Sequence, residues 1–214
     1  VNSKDMMTTL LSAYTPVLNT GNTAWMIMAT ILVLLMSIPG IALFYGGLVR
    51  QKNVLSVIMQ TMLIVGVVSL LWVAIGYTWA FGTGFKESGS WAWFFMGGLD
   101  KAFLKGVTIN SITSTGIPEL TFAMFQCMFA LITPALILGA FAERIKFKGY
   151  MVFTILWVII AYFPMAHWVW GGGFLQEMGA LDFAGVIATN PATAPVHAPT
   201  VVGFLLHIQS IVIQ

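Results

Sequence analysis

Two phenylalanines, Phe125 and Phe129, stand four residues apart in FQCMF, and Trp170 closes AHWVW just ahead of a triple glycine. In a helix, a spacing of four sets both phenyl rings on one face, one above the other. Ring faces attract cations, and a desolvated cation–π contact contributes about 2 kcal/mol or more. Such rings gathered around one point would hold a small monovalent cation stripped of water, with no fixed negative charge to trap it. The alternative is that Trp170 belongs to the aromatic belt that tryptophans form at bilayer surfaces, with the phenylalanines in the core or against lipid. Asp182, one of seven carboxylates in 214 residues, precedes FAG at the start of a predicted fifth helix. There an aspartate caps exposed N–H groups and complements the positive helix end. It would add negative potential beside a cation site without ligating the ion, because direct contact would bind the ion too tightly for release.

Little else in the chain offers chemistry. No Ser/His/Asp set, metal-ligand cluster or phosphate loop stands out, and the glycines 171–173 follow a helix instead of opening one after a strand. These features point away from an enzyme and to no cofactor. A single cysteine, Cys127, allows no internal disulfide. The net charge of +2 is too small to imply nucleic acid.

The elements that must position these residues follow from composition. The chain is 59% hydrophobic and 7% charged, where soluble domains carry about 25% charged residues. A bilayer core of about 30 Å takes about 20 apolar residues in helix. Segments 24–47, 54–81, 120–142 and 149–169 meet that length, and none holds an Asp, Glu, Lys or Arg. Only helices and closed barrels satisfy the backbone in lipid, and the period-2 alternation of barrel strands is missing. The predicted class is an all-α polytopic membrane protein with four clear transmembrane helices and the start of a fifth.

Five of the nine basic residues fall in two short connections: Arg50 and Lys52 in 50–53, and Arg144, Lys146 and Lys148 in 143–149. The positive-inside rule makes both cytoplasmic, so the N-terminal segment 1–23 and the long connection 82–118 are external. The expectation from the initial valine is a processed N-terminus that has lost a methionine or signal peptide. The third span runs inward from Glu119. At 1.5 Å per residue, Phe125 lies about 9 Å and Phe129 about 15 Å below Glu119, one ring shallow and one near mid-membrane. The fourth span returns outward, so Trp170 ends it on the side of Phe125. Pro39, Pro134 and Pro164 interrupt spans, displacing the carbonyls of Leu35, Ala130 and Ile160. Those sites read either as packing kinks or as carbonyls turned toward a path. Residues 186–214 break the pattern, with the proline-rich VIATNPATAPVHAPT followed by a stretch too short for a comfortable span.

Four runs in order along the chain, NTGNTAWM (19–26), PGIALFYGGLVRQKNVLS (39–56), FQCMF with GAFAERIKF (125–129 and 139–147), and AHWVWGGG…GALDFAG (166–185), resemble the ammonium transporter family (Amt/Mep, with Rhesus proteins as distant relatives). The resemblance implies an ammonium-transporter-like helical bundle at 24–185, the first of two inverted repeats, followed by an atypical tail at 186–214. It implies a homotrimer in the cell membrane, with a pore in each subunit. Ammonium would be recruited by Trp170 and Phe125 and admitted past a phenylalanine gate that includes Phe129. Asp182 and Ala184 of DFAG would support the site structurally. Ammonia would then cross an apolar conduit, its proton handled by two histidines. A P-II-type regulatory protein would meet the cytoplasmic loops.

The pattern departs from the family at one decisive place. The family's first pore histidine falls eight residues after the aspartate, where this chain has Asn190. His197 lies seven residues further among prolines and does not carry over, and His207 has no counterpart. His167 matches a different position beside the tryptophan and reads as a satisfied packing residue. NPA at 190–192 matches the water-channel signature, but those channels use two copies at half-helix ends. Three readings follow: ammonium/ammonia transport, an ammonium-sensing or partner-binding subunit without transport, or an inactive truncated product.

Overall fold

A computed structural model describes residues 17–178. Four helices in it are long and apolar enough to cross a membrane. α1 occupies Thr20–Leu48. α2 runs through Val54–Leu71, Trp72–Gly76 and Tyr77–Phe81. α3 is Glu119–Phe141, and α4 runs through Phe147–Trp157, Val158–Tyr162 and Phe163–Trp170. These are the four expected spans. α1 begins before its apolar run because Asn19 caps it: the side-chain oxygen accepts from the Asn22 N–H at 3.0 Å. No strand forms among the described residues, where the one β-type pairing is an isolated bridge between Ile112 and Pro118.

Burial shows which helix is central. Every residue from Cys127 to Ala135 in α3 is buried, so neighbours cover that helix on all sides. The other helices bury single stripes: Met26, Ala29 and Val33 in α1, and Val57, Gln60, Thr61, Ile64 and Val68 in α2. These spacings of three and four are those of one helix face. α1 and α2 pack along α3, and the C-terminal half of α4 packs against the end of α2.

Three spans each contain a π-helical turn, at Met36–Ile41, Trp72–Gly76 and Val158–Tyr162. Such a turn accommodates an extra residue, so side chains five apart return to the same face. Trp72 and Tyr77 are both buried that way, as are Val158 and Phe163. Pro39 lies inside the first turn and Pro164 just after the third, whereas Pro134 stays within the α-helix of α3. The turn in α2 has no proline.

The connection between α2 and α3 folds back onto the helix ends. Asp100 accepts from the N–H groups of Thr83 and Gly84 at 3.3 and 3.0 Å, and the Gly97 N–H donates to the Trp79 carbonyl at 2.7 Å. A Cβ on Gly97 would stand 2.2 Å from the Gly82 oxygen, so only glycine permits this approach.

Candidate functional site

Phe125 and Phe129 meet as their spacing predicts. Their ring centroids are 4.7 Å apart with planes at 85°, the edge-to-face arrangement that aromatic quadrupoles favour. Both are buried. The helix carrying them is braced from α2, where the Trp72 indole donates to the Ala123 carbonyl at 3.0 Å and its ring meets Phe163 of α4 edge-on at 5.8 Å. At the head of α3, one oxygen of Glu119 accepts from the Tyr77 hydroxyl at 2.9 Å and pairs with the Lys101 ammonium. That cation balances the carboxylate and pins the connection over the end of α3.

Trp170 is the last residue of α4 and packs, half-buried, against the apolar core. Three residues earlier His167 is fully buried. Its Nδ1 lies 3.0 Å from the Ala80 carbonyl oxygen of α2, and its Nε2 lies 2.8 Å from that of Trp93 in the connection. The Trp93 ring meets the imidazole edge-on at 4.6 Å. His167 is thus satisfied, as its sequence context suggests. The glycine run follows from the same packing: a Cβ on Gly171 would lie 1.8 Å from the Ala80 oxygen, and one on Gly172 would lie 3.0 Å from the Trp93 ring.

This end of the molecule already holds alkylammonium groups on aromatic faces. Lys86 Nζ lies 5.1 Å from the Trp93 ring centroid and Lys101 Nζ lies 5.9 Å from that of Tyr77, both within cation–π range.

At the opposite end, a cavity of about 690 Å³ opens between α1, α3 and α4, lined by Tyr45, Leu136, Gly139, Glu143 and Trp157 among others. The Tyr45 hydroxyl donates to the Leu136 carbonyl at 2.7 Å, and its ring lies where a Cβ on Gly139 would come within 2.4 Å of it. Glu143 joins the two basic loops: it accepts from the Arg50 N–H at 2.8 Å and the Asn53 amide at 2.9 Å. The Asn53 hydrogen bond first, then the Arg50 N–H and the Arg50 and Lys52 charges, hold its carboxyl below the usual range. Sequence reasoning passes over Tyr45 and Glu143. Their only signal is a lone carboxylate in a basic loop and a glycine facing a tyrosine from another span.

No cluster of three metal-ligating side chains occurs among the described residues. Asp182, Ala184, Asn190, His197 and His207 lie outside them. A model of the ammonium transporter family matches residues 24–194. An ammonium transporter of Bacillus subtilis is 48% identical over 166 residues, covering 77% of this chain and 39% of that protein. The crystal structure of Candida albicans Mep2 superposes with a TM-score of 0.66 at 36% identity, over 78% of this chain and 35% of its own. A solved structure described as a sensor Amt protein gives 0.65 at 29% identity over 77% of this chain and 39% of its own. The chain spans about two-fifths of the length of the curated relatives it matches.

Proposed function

This chain belongs to the ammonium transporter family, and from that premise we propose that it carries the outer recruitment site and first half of a pore for ammonium or ammonia. Trp170 and Phe125 offer their faces to the cation, and Phe129 gates the passage beneath. Two desolvated faces, at about 2 kcal/mol each, offset part of the cost of stripping the ion of water. The apolar interior rejects a hydrated cation and passes a small neutral molecule. The observation that carries this reading is the buried edge-to-face pair Phe125–Phe129 on the helix at the centre of the bundle. Asp182 and Ala184, which lie outside the described residues, are assigned by the family resemblance to structural support of that site.

The loops 50–53 and 143–149 face the cytoplasm of a cell or inner membrane by the positive-inside rule, with the N-terminus outside. The unit is a homotrimer, and the two basic loops, joined through Glu143, meet a P-II-type regulatory protein. The region 24–185 is the transporter-like repeat, flanked by the external segment 1–23 and the tail 186–214. A second reading, ammonium sensing without flux, draws support from the sensor Amt neighbour and from Asn190 at the pore-histidine position.

Uptake of labelled methylammonium by vesicles holding the full chain tests the first reading. It predicts saturable uptake. Absence of flux from an inserted trimer would overturn it, and ammonium-dependent partner binding without flux would establish the second.

A further inference from the structure

We propose that His167 is the positioning residue that orients Trp170 for cation capture, an inference that rests on the recruitment role proposed for Trp170. A packing residue in a bilayer needs only apolar volume, which leucine or phenylalanine would supply. His167 instead aims each ring nitrogen at a main-chain carbonyl of a different segment. The Ala80 carbonyl belongs to the last turn of α2, where helix carbonyls lack intrahelical donors, and the Trp93 carbonyl belongs to the connection. A neutral imidazole carries one N–H and donates to one of these oxygens at a time. The ring thus links the ends of α2 and α4 to the connection at a single point.

Its main chain completes the link. The His167 carbonyl accepts from the Gly171 N–H at 3.0 Å and the Gly173 N–H at 3.1 Å, holding the reversal that ends α4 immediately after Trp170. Trp170 therefore stands between a turn fastened to the His167 carbonyl and a ring held between carbonyls of two other segments, donating to one of them. The close approach of Gly171 to the Ala80 oxygen removes the space in which the turn could shift. With 167 apolar, volume is kept, the carbonyl that accepts from the imidazole loses its donor and the last turn of α4 is free to rotate the indole.

The test compares wild type with His167→Leu, which keeps bulk, and His167→Gln, whose amide restores one donor toward the Trp93 carbonyl. In vesicles of the full chain, His167→Leu is expected to raise the KM for methylammonium about fivefold, the worth of one hydrogen bond. The maximal rate should hold, and His167→Gln should recover most of the loss. Hydroxyl-radical footprinting of Trp170 by mass spectrometry gives a readout without flux: oxidation should rise in His167→Leu and return in His167→Gln. If wild type transports nothing, the recruitment reading fails on its own, and the footprint still decides the positioning role. Unchanged KM and unchanged Trp170 oxidation in His167→Leu would overturn the proposal. So would a loss that His167→Gln does not recover. Should His167→Leu not accumulate, the same two quantities in His167→Gln decide it: wild-type values support the role, and loss of both overturns it.

Discussion

Replacing Gly171 with alanine should damage the junction of α2, α4 and the connection far more than the same change at Gly66 damages α2. The new Cβ at 171 would stand 1.8 Å from the Ala80 oxygen, whereas ordinary contact begins at 3.4 Å, so the two must part by about 1.6 Å. The obstacle is backbone on one side and the His167 ring, 2.7 Å away, on the other, and neither is a flexible side-chain tip. Separation by that amount takes the His167–Ala80 contact, now 3.0 Å, beyond hydrogen-bonding reach. The lost hydrogen bond costs about 1 kcal/mol and the overpacking about 1–3 kcal/mol, together about 2–4 kcal/mol. Gly66 lies within α2 with nothing inside 4 Å of a built Cβ. Alanine there should stabilise by up to about 1 kcal/mol through helix propensity. Unfolding of the detergent-solubilised protein by SDS titration, followed by circular dichroism, measures both. A Gly171→Ala variant as stable as Gly66→Ala would refute the packing account of the glycine run.

Other outcomes follow from the same structure. The Glu143 carboxyl is held below its ordinary value by Asn53 and then Arg50. A depressed carboxyl contributes above its ordinary value and loses that contribution as pH falls through the depressed one. Acidification through that range should therefore lower the protection of the Arg50 amide, its exchange measured against the intrinsic rate at the same pH, and Glu143→Ala should lack that protection already at neutral pH; protection independent of both would contradict the link between the loops. Lys101→Met leaves Glu119 without its cation, and loss of this charged hydrogen bond should destabilise the protein by about 2 kcal/mol. Faster proteolysis within 97–118 is the readout, and unaltered cleavage would count against the pin. Cys127 is buried, so a maleimide should label it only after SDS unfolding.

What was legible in the sequence was what periodicity and local spacing encode. Apolar runs mark α1 to α4 because a bilayer demands about 20 residues of satisfied backbone, and the four-residue interval of Phe125 and Phe129 alone puts the rings together. The π-helical turns were legible only in part: Pro39 and Pro164 mark two of them, but Trp72–Gly76 has no proline. That turn is set by burial of Trp72 and Tyr77 against other helices, a tertiary cause with no local mark. Tyr45 against Gly139, Glu143 across to Arg50 and Asn53, and His167 between Ala80 and Trp93 join residues more than 70 positions apart. A single sequence does not display such pairings. The glycine run at 171–173 was visible as a motif, while its reason, the oxygen of Ala80 and the ring of Trp93, was not.

The central claim is that ring faces at the outer mouth capture the cation. Its most direct test is the methylammonium dissociation constant of the full chain, by equilibrium binding, for wild type and Trp170→Leu. Loss of a face worth about 2 kcal/mol weakens binding about 30-fold. An affinity equal to wild type in a folded, membrane-inserted Trp170→Leu protein would contradict it.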